Sequence, residues 1–236
     1  VRNLRFLLLL SLTPFLAAIT CQPLVPPPPE LGKPAITNID LTYTKDALGE
    51  YIEAVRISWI PPEIDSLPVS YYSLVRKLPG DSIFDIFPMS QFIPADTLIF
   101  EDPLETQVFP KDTVNSVYYK VYAVDDLGRQ GQVSDACSLR IASQPFDIVF
   151  GQDNCLEWES DLLGGVYSFA RIWNDDSGDS ITSPIVRVYS QTDDPASFKF
   201  CIQSQMLPIA SGKWNYALFV ELNEVRSVKI GYFNVP

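Results

Sequence analysis

The string Asn174-Asp175-Asp176-Ser177-Gly178-Asp179 carries oxygen side chains at alternate positions. Asp175, Ser177 and Asp179 have the types and spacing that wrap a calcium ion in a loop site. The distal bidentate glutamate of a helix–loop–helix site is missing, and Gly178 falls one position early. The same composition suits a polar turn after a strand ending at Trp173, and turn chemistry favours that reading. Cysteines form a second reactive set, at positions 21, 137, 155 and 201. Aromatic side chains are a third. Trp173, Tyr189, Tyr118 and Tyr122 fall near loops or on outward strand positions, where rings can stack on sugars. Aromatics at strand spacing are more often core or cross-strand pairs.

Acid–base and nucleophilic catalysis have little to work with. The chain has no histidine, which removes the commonest general base and the Ser-His and Cys-His pairs. Glu157/Glu159 and Asp125/Asp126 are carboxylate pairs, but hydrolysis needs two carboxylates flanking a cleft. These read as strand-face and turn residues. No glycine-rich phosphate loop, metal-spaced ligand cluster or nucleophile elbow occurs. The expectation is a non-catalytic protein without a cofactor. A net charge of −12 and no basic patch argue against nucleic acid as a partner.

The elements that must position these residues read as strands. Hydrophobic residues make up 47% of the chain, enough for real cores, with 14 Phe and 11 Tyr among them. In Ala54-Val55-Arg56-Ile57-Ser58-Trp59, Val55, Ile57 and Trp59 share one face, and Pro61-Pro62 stops the strand. Tyr71 to Lys77 is a second strand, ended by Leu78-Pro79-Gly80-Asp81, and Val117 to Asp125 a third, with Gly128 and Gly131 marking the turn after it. Val133 to Ala142 closes this half. Seven further candidates follow: Phe146–Phe150, Asn154–Ser160, Val166–Trp173, Ile185–Ser190, Phe198–Ser204, Trp214–Leu222 and Arg226–Val235. No sustained helical period interrupts them.

The first residues read as an address. Arg2 and Arg5 precede an apolar run from Phe6 to Ile19, as in a secretory signal peptide, and the run is short for a membrane span. Its end, Leu16-Ala17-Ala18-Ile19-Thr20-Cys21, resembles the lipobox of bacterial lipoproteins. Thr20 and Ala18 depart from that pattern. The resemblance implies acylation of Cys21. Residues 23–34 are rich in proline, favouring a stiff polyproline II tether.

Trp59 with Pro61 and Pro62, Tyr72, and Tyr119-Lys120-Val121-Tyr122-Ala123-Val124-Asp125 followed by Gly128 and Ser134 resemble a fibronectin type III domain over roughly 34–142. That family's corner tyrosine would fall on Val117, so its hydrogen bond is either missing or supplied by Tyr118. The resemblance implies a binding or spacer module. The expected fold is all-β, with two tandem β-sandwich domains: signal peptide 1–20, lipidated Cys and tether 21–34, a type III-like domain 35–143, and an immunoglobulin-like domain 144–236.

Cys137 shares parity with Leu139 and Ile141, which points it into the first core as a free thiol. Cys155 and Cys201 fall on outer faces of strands B and E of the second domain, neighbours in one sheet. A cross-strand Cys155–Cys201 disulfide is therefore expected in an oxidising compartment. The functional expectation is a lipid-anchored bacterial envelope or cell-surface module that binds another envelope protein. The alternative is a glycan-binding accessory module stacking sugars on Trp173 and Tyr189.

Overall fold

The computed structural model describes residues 30–63, 67–87, 90–104, 114–142, 148–150, 155–160, 165–189, 196–201, 211–222 and 224–235. All regular structure among them is β. The strands are β1 (Ala35–Lys45), β2 (Tyr51–Ile60), β3 (Tyr71–Lys77), β4 (Asp85–Ile86), β5 (Ile93–Pro94), β6 (Ile99–Pro103), β7 (Val114–Val124), β8 (Gln130–Val133) and β9 (Cys137–Ala142). They continue as β10 (Ile148–Phe150), β11 (Cys155–Ser160), β12 (Gly165–Trp173), β13 (Ser180–Thr182), β14 (Val186–Tyr189), β15 (Ala196–Cys201), β16 (Gly212–Leu222) and β17 (Val225–Val235).

Period-two alternation decides the first core. Val55 and Ile57 are fully buried and Trp59 is 2% exposed, whereas Arg56 between them faces water. They pack on Tyr72, Leu74, Val117, Tyr119 and Val121 from the facing sheet, with Trp59 edge-on to Tyr72 at 5.5 Å. The β1–β2 hairpin turns on Asp46, whose carboxylate accepts the N–H groups of Leu48 and Glu50, while Gly49 takes the positive φ of 82°. After β7 the chain turns on Asp125. Its carboxylate accepts the N–H groups of Leu127 and Arg129 and the Arg129 guanidinium. Gly128 supplies the left-handed residue there. Gly131, expected in that turn, lies inside β8 instead. A Cβ there would meet the Leu31 Cβ at 2.6 Å. Leu31, at the end of the proline-rich segment, is itself part of the core.

The same strand plan occurs twice. Sheet order β1-β2-β6 in the first half matches β10-β11-β15 in the second. The run β3-β7-β9 matches β12-β16-β17. In both halves the next partner is split in two. β4 and β5 pair with opposite ends of β3, as β13 and β14 do with β12. A serine device occurs in each half, on β7 in the first and on the non-corresponding β12 in the second. Ser134 Oγ accepts the Val121 N–H at 2.9 Å and Ser183 Oγ accepts the Ala170 N–H at 2.8 Å. β13 was not expected from the sequence. Three residues reading Ser-Ile-Thr are too short to show a period.

The halves share main-chain pairing. β17 runs parallel to β9 through Val225↔Arg140 and Arg226↔Ile141, which joins the two large sheets edge to edge into one of eleven strands. The long β1–β2 hairpin overhangs this seam. Its first part covers the first core, and its Tyr43–Tyr51 end lies on the second half.

Candidate functional site

The overhang builds a junction. Successive side chains alternate across a strand, so Phe169, Arg171 and Trp173 of β12 share a face with their β16 partners Phe219, Ala217 and Asn215. This face is the outer one of the second half, and sequence parity alone assigns it to solvent. The hairpin covers part of it. Tyr43 stacks on Trp173 at 4.6 Å between ring centroids and 6° between planes, and Tyr51 meets Trp173 edge-on at 4.8 Å. Trp173 is consequently 8% exposed and closed to a sugar, which corrects its expected role in glycan stacking. Tyr189 ends β14, and its side chain lies outside the described residues. Tyr118 is exposed with Lys77 over its ring, whereas Tyr122 is buried.

Polar groups ring the stack. The Tyr51 hydroxyl donates to Asp175 Oδ1 at 2.7 Å, and Lys45 Nζ and Asn215 Nδ2 donate to Oδ2 at 3.2 and 3.4 Å. Burial pushes the Asp175 carboxyl up. The hydrogen bonds from Tyr51 and Lys45, with the Lys45 charge, more than offset this and hold it below the usual carboxylate range. Asp175 thus works across the junction, with both of its oxygens engaged by Tyr51, Lys45 and Asn215. The rest of that string is a turn: Asn174 Oδ1 accepts the N–H groups of Asp176 and Ser177, and Ser177 Oγ accepts that of Asp179. Among the described residues no three His, Cys, Asp or Glu side chains gather as a metal site.

Glu53 sits on the inner face of the overhang, opposite Tyr43 in register. Among the described residues no cation or hydrogen-bond donor meets its carboxyl, and burial alone pushes it up to about 7. The folded state therefore favours the protonated form. Its contribution to stability is complete below the ordinary glutamate range and is lost as pH rises through about 7. At about 1.4 kcal/mol per pH unit, stability falls by about 2 to 3 kcal/mol between pH 5 and 8. Urea denaturation across that window is expected to show the fall, and Glu53→Gln to flatten it. An unchanged slope in the variant would remove Glu53 from the account.

Beside the junction an open cleft of about 850 Å³ runs between β1 and the outer face of β12, β16 and β17. Its floor is the Phe169–Phe219 pair, stacked at 4.7 Å, and Tyr167 stands exposed at its rim. Three arginines reach it. Arg226 is tied to Asp40 and Glu221 at 2.8 and 3.0 Å, and Arg56 to Glu101 at 2.7 Å. Arg171 is exposed and meets no carboxylate among the described residues. The size is that of a specific ligand site. No sequence signal marked it, because its walls come from strands more than a hundred residues apart.

Cys155 and Cys201 are directly opposed in the β11–β15 register, and their side chains lie outside the described residues. Directly opposed antiparallel residues have Cα atoms about 4.5 to 5.5 Å apart, which is within disulfide range. Non-reducing peptide mass spectrometry is expected to find Cys155 linked to Cys201. In the chain-entropy account the link contributes at most about 4 kcal/mol. Linkage of either to Cys137 would sink this. Cys137 lies on the core face of β9 as expected, but at the strand end, where it is half-buried and free. At the expected corner position Val117 is plain core and Tyr118 is exposed; the buried hydroxyl belongs to Tyr119, the next residue, which donates to the Asp102 side chain at 2.6 Å. Cys21 lies outside the described residues. A scan against protein-family models finds no match to this chain, and a search of curated proteins finds none.

Proposed function

We propose that this chain is a lipid-anchored, non-catalytic binding module of a bacterial envelope, presenting a two-lobed β-sandwich body to another envelope protein. The observation that carries this reading is the junction. The Tyr43–Trp173 stack, the Asp175 hydrogen bonds and the shared sheet brace the two halves and leave a formed cleft beside the brace. A rigid bracket with a concave surface suits holding a partner at fixed geometry. Strand orders β1-β2-β6 and β3-β7-β9, and their repetition, support the resemblance to fibronectin type III and immunoglobulin-like modules. The arginine at Arg171, the proline tether and Cys21 complete the picture of a surface held off a membrane. A glycan-binding role is weaker, since Trp173 is committed to the junction.

Crosslinking in intact cells with a C-terminal tag, followed by mass spectrometry, tests the binding role. Repeated recovery of one envelope protein is expected. Recovery of bulk proteins alone would count against it. The anchor is tested separately. Metabolic labelling with a palmitate analogue is expected to mark the chain and to lose the mark completely in Cys21→Ser. Labelling that survives the substitution would refute acylation at Cys21.

A further inference from the structure

We propose that the cleft along β1 takes up an extended acidic segment of a partner protein, which adds to the free edge of β1 as a further strand and sets a carboxylate on Arg171. This rests on the binding reading above and names what the module holds.

The edge is the first argument. β1 ends the order β1-β2-β6, and no strand pairs with its other side among the described residues. That side begins capped. The Ile39 carbonyl accepts Arg226 Nη1 at 3.2 Å, and the Leu41 N–H donates to the Asp40 carboxylate at 2.8 Å. Main-chain groups leaving one side of an antiparallel strand belong to alternate residues. The Tyr43 N–H and C=O therefore leave on the same side as those of Ile39 and Leu41, along the cleft that Leu41 and Tyr43 line. Such an edge is a template for strand addition.

The floor is the second argument. An incoming strand points alternate side chains down, and the stacked Phe169 and Phe219 with the exposed Tyr167 give them an apolar bed. Charge is the third. Arg226 and Arg56 are already neutralised by Asp40, Glu221 and Glu101, which leaves Arg171 as the uncompensated cation of the cleft among the described residues. Arginine binds carboxylates in a planar fork. The chain's own tether is a poor occupant. Pro23, Pro26 to Pro29 and Pro34 lack the N–H groups a ladder needs.

The test selects random displayed peptides of about twelve residues on the purified full chain in detergent. Enriched peptides are expected to carry Asp or Glu among strand-forming residues. Made synthetically, they should bind Arg171→Gln and Tyr167→Ser at least about tenfold more weakly. Both residues are exposed, so the variants should melt with the wild type. Alternate N-methylation of the peptide should abolish binding, and binding should slow exchange of the Tyr43 amide. Enrichment of no peptide, equal binding to Arg171→Gln, tolerance of N-methylation, or unchanged Tyr43 exchange would each overturn the proposal. So would binding of an acidic saccharide without amide protection, or filling of the cleft by a second copy of the chain in ultracentrifugation. If the protein recovered from cells still binds Arg171→Gln, the binding role stands and this site for it falls.

Discussion

Trp173→Ala is expected to lower stability by about 3 to 5 kcal/mol, the range for deleting a buried large aromatic. The side chain is 8% exposed and lies between two tyrosines, stacked on one and edge-on to the other. Its removal leaves a cavity at the point where the hairpin holds the second half. Domains of this kind have about 5 to 15 kcal/mol in all, so the loss is a large fraction of the total. Loss of Trp173 should also loosen the Tyr51–Asp175 hydrogen bond, so Trp173→Ala and Asp175→Ala should be non-additive in a double-mutant cycle. Chemical denaturation of the two single variants and the double checks both points. A Trp173→Ala loss below about 1 kcal/mol would mean the ring is not buried as described.

Arg76→Ala is expected to cost about 3 to 5 kcal/mol for a different reason. Asp102 lies 1% exposed in β6, between the sheets of the first half. Arg76 Nη1 donates to its two oxygens at 2.9 and 2.7 Å, and Tyr119 donates its hydroxyl to the second at 2.6 Å. Burial lifts the Asp102 carboxyl above its usual range in spite of the guanidinium beside it. Without Arg76 the carboxylate is buried with one hydroxyl for company. Exposed pairs such as Lys33–Asp135 should contribute far less, since water screens both charges. The triad should differ from them in one more way. Replacing all three residues by Met, Leu and Phe should recover most of what Arg76→Ala loses, because an apolar trio leaves no charge stranded. Urea denaturation of both variants decides it, and a triple variant as unstable as the single would contradict this reading of the triad.

Much of the architecture was legible because a strand writes its pleat into the sequence locally. Val55, Ile57 and Trp59 alternate, and they are core. Tyr71–Lys77 was bounded correctly by the Pro79-Gly80 turn that follows it. Opposition of Cys155 and Cys201 followed from strand count and parity, since both are properties of the chain's order. What failed was burial decided by a distant segment. Trp173 and Arg171 have the same outward parity on β12. One is covered by β1 and β2, from more than a hundred residues away, and the other is left open. Glu53, Tyr119 and Asp102 were missed likewise, because a carboxyl's environment depends on what packs over it. The sequence alone thus determined the all-β class and the faces of strands such as β2, β3 and β7, since these depend on neighbours one and two residues away, whereas β1, β4, β5, β6 and β13 were not read from it. The tertiary structure alone decided which outer face became a junction and which became a cleft. That choice rests on where a long hairpin overhangs a seam between two sheets, which no local pattern encodes.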